Sequence, residues 1–205
     1  MQFEGFTKHD FDTFNVDGLE ARMQAIEERI RPKFRIIGQS LTDDLSASLG
    51  REMFLHIAKH ARRTVNPPKD TWLAIVSNKR GYKQHPHFQI GLFDDHVFIW
   101  LAFIYELPNK TEIAKTFLKN LPIIKRTVPN DFVVSLDHTK KEAISFEEID
   151  LKAALERFRD VKKAEFLIGR HIEANNPILS DGNAFMNMAM ETFETLIPLY
   201  ELAYK

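Results

Sequence analysis

The stretch His87-Phe88-Gln89-Ile90-Gly91-Leu92-Phe93-Asp94-Asp95-His96-Val97-Phe98-Ile99-Trp100-Leu101-Ala102-Phe103 decides the fold. Two runs rich in aromatic and β-branched residues flank an acidic dipeptide, which predicts two strands around a two-residue turn. With Asp94 and Asp95 in the turn, Phe93 pairs with His96, Gly91 with Phe98, Gln89 with Trp100 and His87 with Ala102. Paired side chains share a sheet face. One face then carries His87, Gln89, Phe98, Trp100 and Ala102, with Gly91 leaving a gap. The other carries Phe88, Ile90, Leu92, Val97, Ile99, Leu101 and Phe103 and reads as core. The run at 97–105 is apolar on both faces, so it needs burial on both sides and belongs in the middle of a sheet. A third strand at 71–77 is expected beside this hairpin.

Outward from the hairpin, helices and strands mix without strict alternation. A short helical piece is expected at 7–14. A helix should follow from Asp17, through Leu19, Met23, Ile26 and Ile30, and Pro32 marks its exit. Residues 33–37 read as a short strand. A longer helix is expected over 42–63, because Leu49, Met53, Ile57 and His60 fall on one arc at 100° per residue. His56, Lys59 and Arg63 would then line its margin, and Asn66-Pro67-Pro68 would end it. In the second half, a helix from Asn109 is interrupted at Pro122, and two strands at 131–136 and 143–146 surround a polar turn. A helix follows Ser145, a strand spans 165–172, and a terminal helix starts at Ser180 or Asp181 and bends at Pro198. The pattern is α+β: a single domain over 1–205, with a central, mainly antiparallel sheet covered by helices. No glycine-rich strand-to-helix turn supports a doubly wound nucleotide fold.

Composition narrows the chemistry. The 205 residues contain no Cys, which excludes disulfides, thiolate metal sites and cysteine nucleophiles. Seventeen Phe supply a sizeable core. No secretory pattern opens the chain, and the longest apolar run is too short to span a bilayer, so no membrane role is expected and the protein reads as cytoplasmic. The formal net charge is −1, but residues 51–90 carry eight Lys/Arg, two acids and four of the eight His, a local balance of +6. That asymmetry points to a surface that meets an anion.

Candidate ligand contacts follow from this block. His56, Lys59, His60 and Arg63 from one segment, and Lys79, Arg80, Tyr82 and Lys83 from the loop before the hairpin, are expected to converge on His87, Gln89 and Trp100. Gly81 permits a left-handed turn whose amides, beside Lys and Arg, can cradle phosphate oxygens. The plainer reading is a solvated basic loop beside a covered sheet face whose His and Gln are simply hydrogen-bonded. The spacings His56/His60 and His85/His87 can aim imidazole pairs in one direction. The surrounding positive charge repels a cation, however, and no metal or cofactor is expected. Arg170 in an apolar strand requires an acid partner such as Glu173. Asp94 and Asp95 are read as turn residues rather than a catalytic pair.

Pro67-Pro68-Lys69-Asp70-Thr71-Trp72, Asn78-Lys79-Arg80-Gly81-Tyr82-Lys83, Pro86–Leu92 and His96–Trp100 resemble the YktB family of bacterial proteins, as do Gly5-Phe6-Thr7 and Leu19-x-x-Arg22-Met23. The resemblance covers nearly the whole chain. It implies a single-domain α+β cytoplasmic protein and brings no catalytic residues with it. Three functions are therefore carried forward. The first is a binding module for an anionic ligand, either a phosphate-bearing small molecule or nucleic acid. The second is an enzyme using His87 as general acid/base, and the third is a protein-interaction module.

Overall fold

The computed structural model describes residues 2–205. The central hairpin forms in the expected register: β3 (His87–Leu92) and β4 (His96–Phe103) pair His87 with Ala102, Gln89 with Trp100 and Gly91 with Phe98. Phe93 N–H donates to the His96 carbonyl at 2.9 Å, which closes the turn. Among the described residues the sheet has seven strands. β1 (Phe54–Ile57) and β2 (Thr71–Val76) lie on one side of the hairpin. β7 (Phe166–Glu173), β5 (Val133–Ser135) and β6 (Ile144–Ser145) lie on the other, in the order β1-β2-β3-β4-β7-β5-β6. Every pairing is antiparallel. β4 is the fourth strand of the order and is buried along its whole length, as its two-sided apolar sequence requires.

The helices pack on one face only. α3 (Arg31–Leu49), α4 (Lys110–Lys119), α6 (Leu151–Asp160) and α7 (Gly182–Leu202) share one apolar cluster with Leu73, Ile75, Phe88, Ile90, Val97, Ile99, Leu101, Phe103 and Ile168. The sheet's other face holds a separate, smaller cluster made of Phe93, Phe98, Trp100, Ala102, Ile104 and Leu167, with no helical residue in it.

Two expectations fail at the first long helix. Pro32 does not end it. α2 (Leu19–Ala25) runs through a wide turn at Ile26–Ile30 directly into α3. A wide turn immediately before proline rearranges the backbone bonds that the ring would otherwise break, so the helical run continues through 33–37, where a strand was expected. The helix starts at Gly18 (φ 82°) rather than at a capping Asp17. The predicted helix over 42–63 is likewise divided. α3 stops at Gly50, whose φ of 60° is left-handed, and Arg51 N–H donates to the Ser46 carbonyl in a helix-ending turn. Residues 54–57 are strand and 58–70 are loop. His56, Lys59, His60 and Arg63 therefore do not line a helix margin. The helical spacing of Met53, Ile57 and His60 is coincidental.

The remaining elements follow the sequence closely. A short α1 (Lys8–Phe11) opens the chain, α5 (Leu121–Thr127) carries Pro122 in its first turn, and Asp150 and Asp181 cap α6 and α7 through their side chains. The expected gap at Gly91 is filled, because a Cβ there would lie 2.2 Å from the Phe98 ring. Arg170 pairs with Asp131, not Glu173, and its guanidinium lies 4.6 Å over the Phe132 ring.

Candidate functional site

The helix-free face of the sheet is covered by side chains from three loops. Residues 58–70 contribute His60, 77–86 contribute Tyr82 and 136–143 contribute His138, and all three approach Trp72 on β2. The His60 and His138 rings stand edge-on to Trp72 at 5.4 and 6.3 Å. Trp72 Nε1–H donates to the Tyr82 hydroxyl at 3.0 Å, and Lys83 Nζ lies 5.8 Å over the indole. The 58–70 loop is held by the first helices. Arg22 donates to the Pro68 carbonyl at 3.0 Å, and Arg31 donates to the carbonyls of Ala58 and Lys59 at 3.3 and 3.1 Å.

Two residues before Trp72 lies the buried Asp70, one of only two acids in the basic block, whose role sequence reasoning missed. Burial pushes its carboxyl up to about 6, and the nearby His138, Arg63 and Lys83 oppose that rise only in part. His60 is pushed down to about 4, chiefly by burial and then by Arg63, Arg31 and Lys83. It also adopts a positive φ of 52°, and its Nε2 lies 3.1 Å from Thr71 Oγ1. A histidine in that region is uncommon and costs conformational energy, a feature that clusters at functional sites. The charges of Arg63 and Lys83, from different loops, thus bear on the buried Asp70 and the half-buried His60.

The next residues along the face are fully engaged. His87 is buried, and its Nδ1 lies 2.7 Å from the His85 carbonyl. A carbonyl only accepts, so Nδ1 carries the proton and Nε2 accepts from the Gln89 amide at 2.8 Å. Burial pushes His87 down to about 4. Tyr82 packs its ring between His56 and His87, each 5.3 Å away, and burial raises its hydroxyl to about 12. His87 thus lies against Tyr82 with both of its ring nitrogens occupied, one of them by Gln89. His56 Nε2 donates to the Asn78 carbonyl at 3.2 Å.

His138 and Glu165 are two further groups missed in the sequence, because they come from outside the basic block. The buried Glu165 carboxylate accepts from His138 N–H at 2.8 Å and also lies 2.8 Å from His138 Nδ1. The Nδ1–H is thereby fixed and Nε2 is left as the base nitrogen. Asp137, His138 and Glu165 present ligand atoms within 4.8 Å of one another and could hold a metal ion. Their oxygens already serve protein donors, however, since Asp137 Oδ1 accepts from Thr139 N–H and Oγ1 at 3.0 and 2.7 Å.

The other basic residues make different contacts. Lys79 lies 5.2 Å over the Phe54 ring at the sheet edge, Arg80 is exposed, and Lys59 contributes its carbonyl to Arg31. Trp100 lies two strands from Trp72, with Phe98 and His171 as ring neighbours. Of the expected set, Lys83, His60 and Tyr82 come together around Trp72. His87 and His56 extend the group through Tyr82, and Gln89 through His87. Arg63 is exposed and donates to the Asn66 carbonyl of its own loop at 3.3 Å. Two surface depressions lie elsewhere, beside the start of α7 and between α5 and α6. Neither contains a residue of this cluster. The chemistry, not the concavity, marks the site.

An antiparallel sheet with helices on one face and a loop-covered group of ionisable side chains on the other defines an α+β protein with a candidate ligand site. The chain belongs to the family described as "Domain of unknown function (DUF1054)", whose profile matches residues 6–200. It is 63% identical over 203 residues to a UPF0637 protein of Shouchella clausii, covering 99% of this chain and 96% of that one. It is 62% identical over 199 residues to a UPF0637 protein of Oceanobacillus iheyensis, covering 97% and 96%. A UPF0637 protein of Listeria monocytogenes is 53% identical over 201 residues, with 98% of each covered. The resemblance read from the sequence motifs is borne out. No helix among the described residues is long and apolar enough to cross a membrane.

Proposed function

We propose that the protein is a binding module for a small phosphate-bearing anion, taken up by Arg63 and Lys83 against Trp72 and His60. The observation that carries this reading is Lys83 Nζ 5.8 Å over the Trp72 ring, with His60 and Tyr82 on the same indole; the charge of Arg63 also bears on Asp70 and His60. Lys83 is partly offset by Glu106 at 3.6 Å, but a cation held over an indole beside a half-buried histidine remains placed to meet an anion. The compactness of the cluster favours a small molecule over nucleic acid. A phosphate backbone would draw on a longer stripe, and Lys79 and Arg80 stand apart.

Titration calorimetry with inorganic pyrophosphate tests this. Binding is expected to weaken with salt and to fall at least about tenfold in Arg63→Gln and Lys83→Gln, in line with loss of a charge-assisted hydrogen bond. Lys79→Gln should change it little. Absence of binding, or equal loss in Lys79→Gln, overturns the reading.

A second reading, acid–base catalysis on the bound anion, is favoured by the His138–Glu165 pair rather than by His87, whose ring nitrogens are both occupied. It requires turnover of p-nitrophenyl phosphate that is lost in His138→Asn while pyrophosphate affinity persists.

A further inference from the structure

A second histidine pair lies on the same sheet face, across β3 and β4 from Trp72. His96 opens β4 and His171 lies near the end of β7. In the β4–β7 register His96 faces Glu173 and Phe98 faces His171, so the two histidines are diagonal neighbours. Their ring centroids are 4.1 Å apart.

The state of His96 is set by its neighbour. Asp95 Oδ1 lies 2.7 Å from His96 Nδ1. An ionised carboxylate only accepts, so Nδ1 carries the proton and Nε2 presents a lone pair. His96 is 5% exposed, and its Nε2 is buried with no hydrogen-bond partner among the described residues. An orphaned buried acceptor costs about 1–3 kcal/mol. A carboxylate holding one imidazole nitrogen while the other is left without a protein partner, with a second imidazole ring 4.1 Å away between centroids, is how proteins orient metal-ligating histidines.

The local charge also suits a cation. Asp94 and Asp95 face a single Lys141, which leaves the turn net negative beside the histidines. This is the reverse of the basic block, whose positive surroundings argue against a metal at His56/His60 or His85/His87.

We propose that His96 Nε2 and His171 form a two-histidine site for a divalent transition-metal ion of the imidazole-preferring class (copper, nickel or zinc). Asp95 is the positioning residue, and water completes the coordination. Two protein ligands make the site a loading or regulatory one rather than a closed structural centre, which takes four.

The test uses the full chain with Cu²⁺ and Zn²⁺ as the probes. The Trp100 ring is 4.9 Å from His171, so bound Cu²⁺ should quench tryptophan emission saturably. Calorimetry with Zn²⁺ should give one equivalent. His171→Ala, at a half-buried position, is expected to weaken both by about tenfold or more. Asp95→Asn, a change at a solvent-facing turn, is expected to weaken them about tenfold through loss of ring orientation. His56→Ala and His85→Ala should leave both unchanged. Circular dichroism melts confirm that each variant is folded. Absence of saturable quenching in the wild type, or retention of full affinity in folded His171→Ala and Asp95→Asn, overturns the proposal.

Discussion

Asp70 carries the clearest conflict between stability and site chemistry. Its carboxyl titrates near 6 in the fold instead of 3.8. Between those values the folded chain holds a proton that the unfolded chain has released. Stability contributed by that proton is full below about 3.8 and is lost as pH rises through 6. At about 1.4 kcal/mol per pH unit, the ionised group costs the fold about 2–3 kcal/mol at neutral pH. Asp70→Asn is therefore expected to stabilise the protein by that amount at pH 7 and to be near neutral at pH 4, as measured by urea unfolding across pH. Equal destabilisation at both values would instead make Asp70 a structural anion. His60 and His87 act in the opposite direction. Both are held near 4 by burial, so the stability they allow is lost as pH falls from 6.5 through 4. Subtracting the wild-type pH profile from that of the variant isolates the aspartate. Asp70 was visible in the sequence only as one of two acids among many bases. Nothing local signals that a residue beside β2 will be sealed beneath two loops.

At the scale of the element, legibility depended on whether the local signal was unique. The β3–β4 hairpin was readable to the residue, because period-2 alternation and an acidic two-residue turn leave one register. The α3–β1 junction was not, since Met53, Ile57 and His60 satisfy a helical arc by accident. The deciding residue there was Gly50, which ends α3 with a left-handed turn. Two glycines make a contrasting pair of tests. A Cβ at Gly50 would meet nothing within 4 Å, so Gly50→Ala should cost only the conformational penalty, about 1 kcal/mol. A Cβ at Gly169 would lie 1.9 Å from the Ile99 carbonyl of β4, where two central strands cannot separate. Gly169→Ala should cost at least about 3 kcal/mol or prevent folding. Denaturant unfolding gives the ranking, and a milder effect at Gly169 would mean that the strand pair can spread.

Across the whole molecule, the two faces of the sheet are covered by different means. Helices rich in Phe and Leu close one, and polar loops pinned by Arg22, Arg31 and Lys141 close the other. Hydrogen exchange should therefore separate them, with amides of β3, β4 and β7 slow and those of 58–70, 77–86 and 136–143 fast. Uniform protection would show that the loop cover opens only with global unfolding. The +6 block at 51–90 supplies two of the three loops over this face, 58–70 and 77–86, and the third, 136–143, lies outside it. The fold then sorted its members, setting Lys83 over Trp72 and Lys79 over Phe54 at the sheet edge. Such sorting arises from how loops return over a sheet, which no local pattern encodes. The β4–β7 pairing has one more consequence, and it concerns synthesis. β4 is the most apolar strand, yet its second neighbour is β7, which follows α4, α5, β5, β6 and α6 in the chain. While the ribosome is still making those segments, β4 presents an unpaired backbone edge and a bare apolar surface. The nascent chain is then at its most vulnerable to self-association, and it remains so until residues 166–173 emerge to close the sheet.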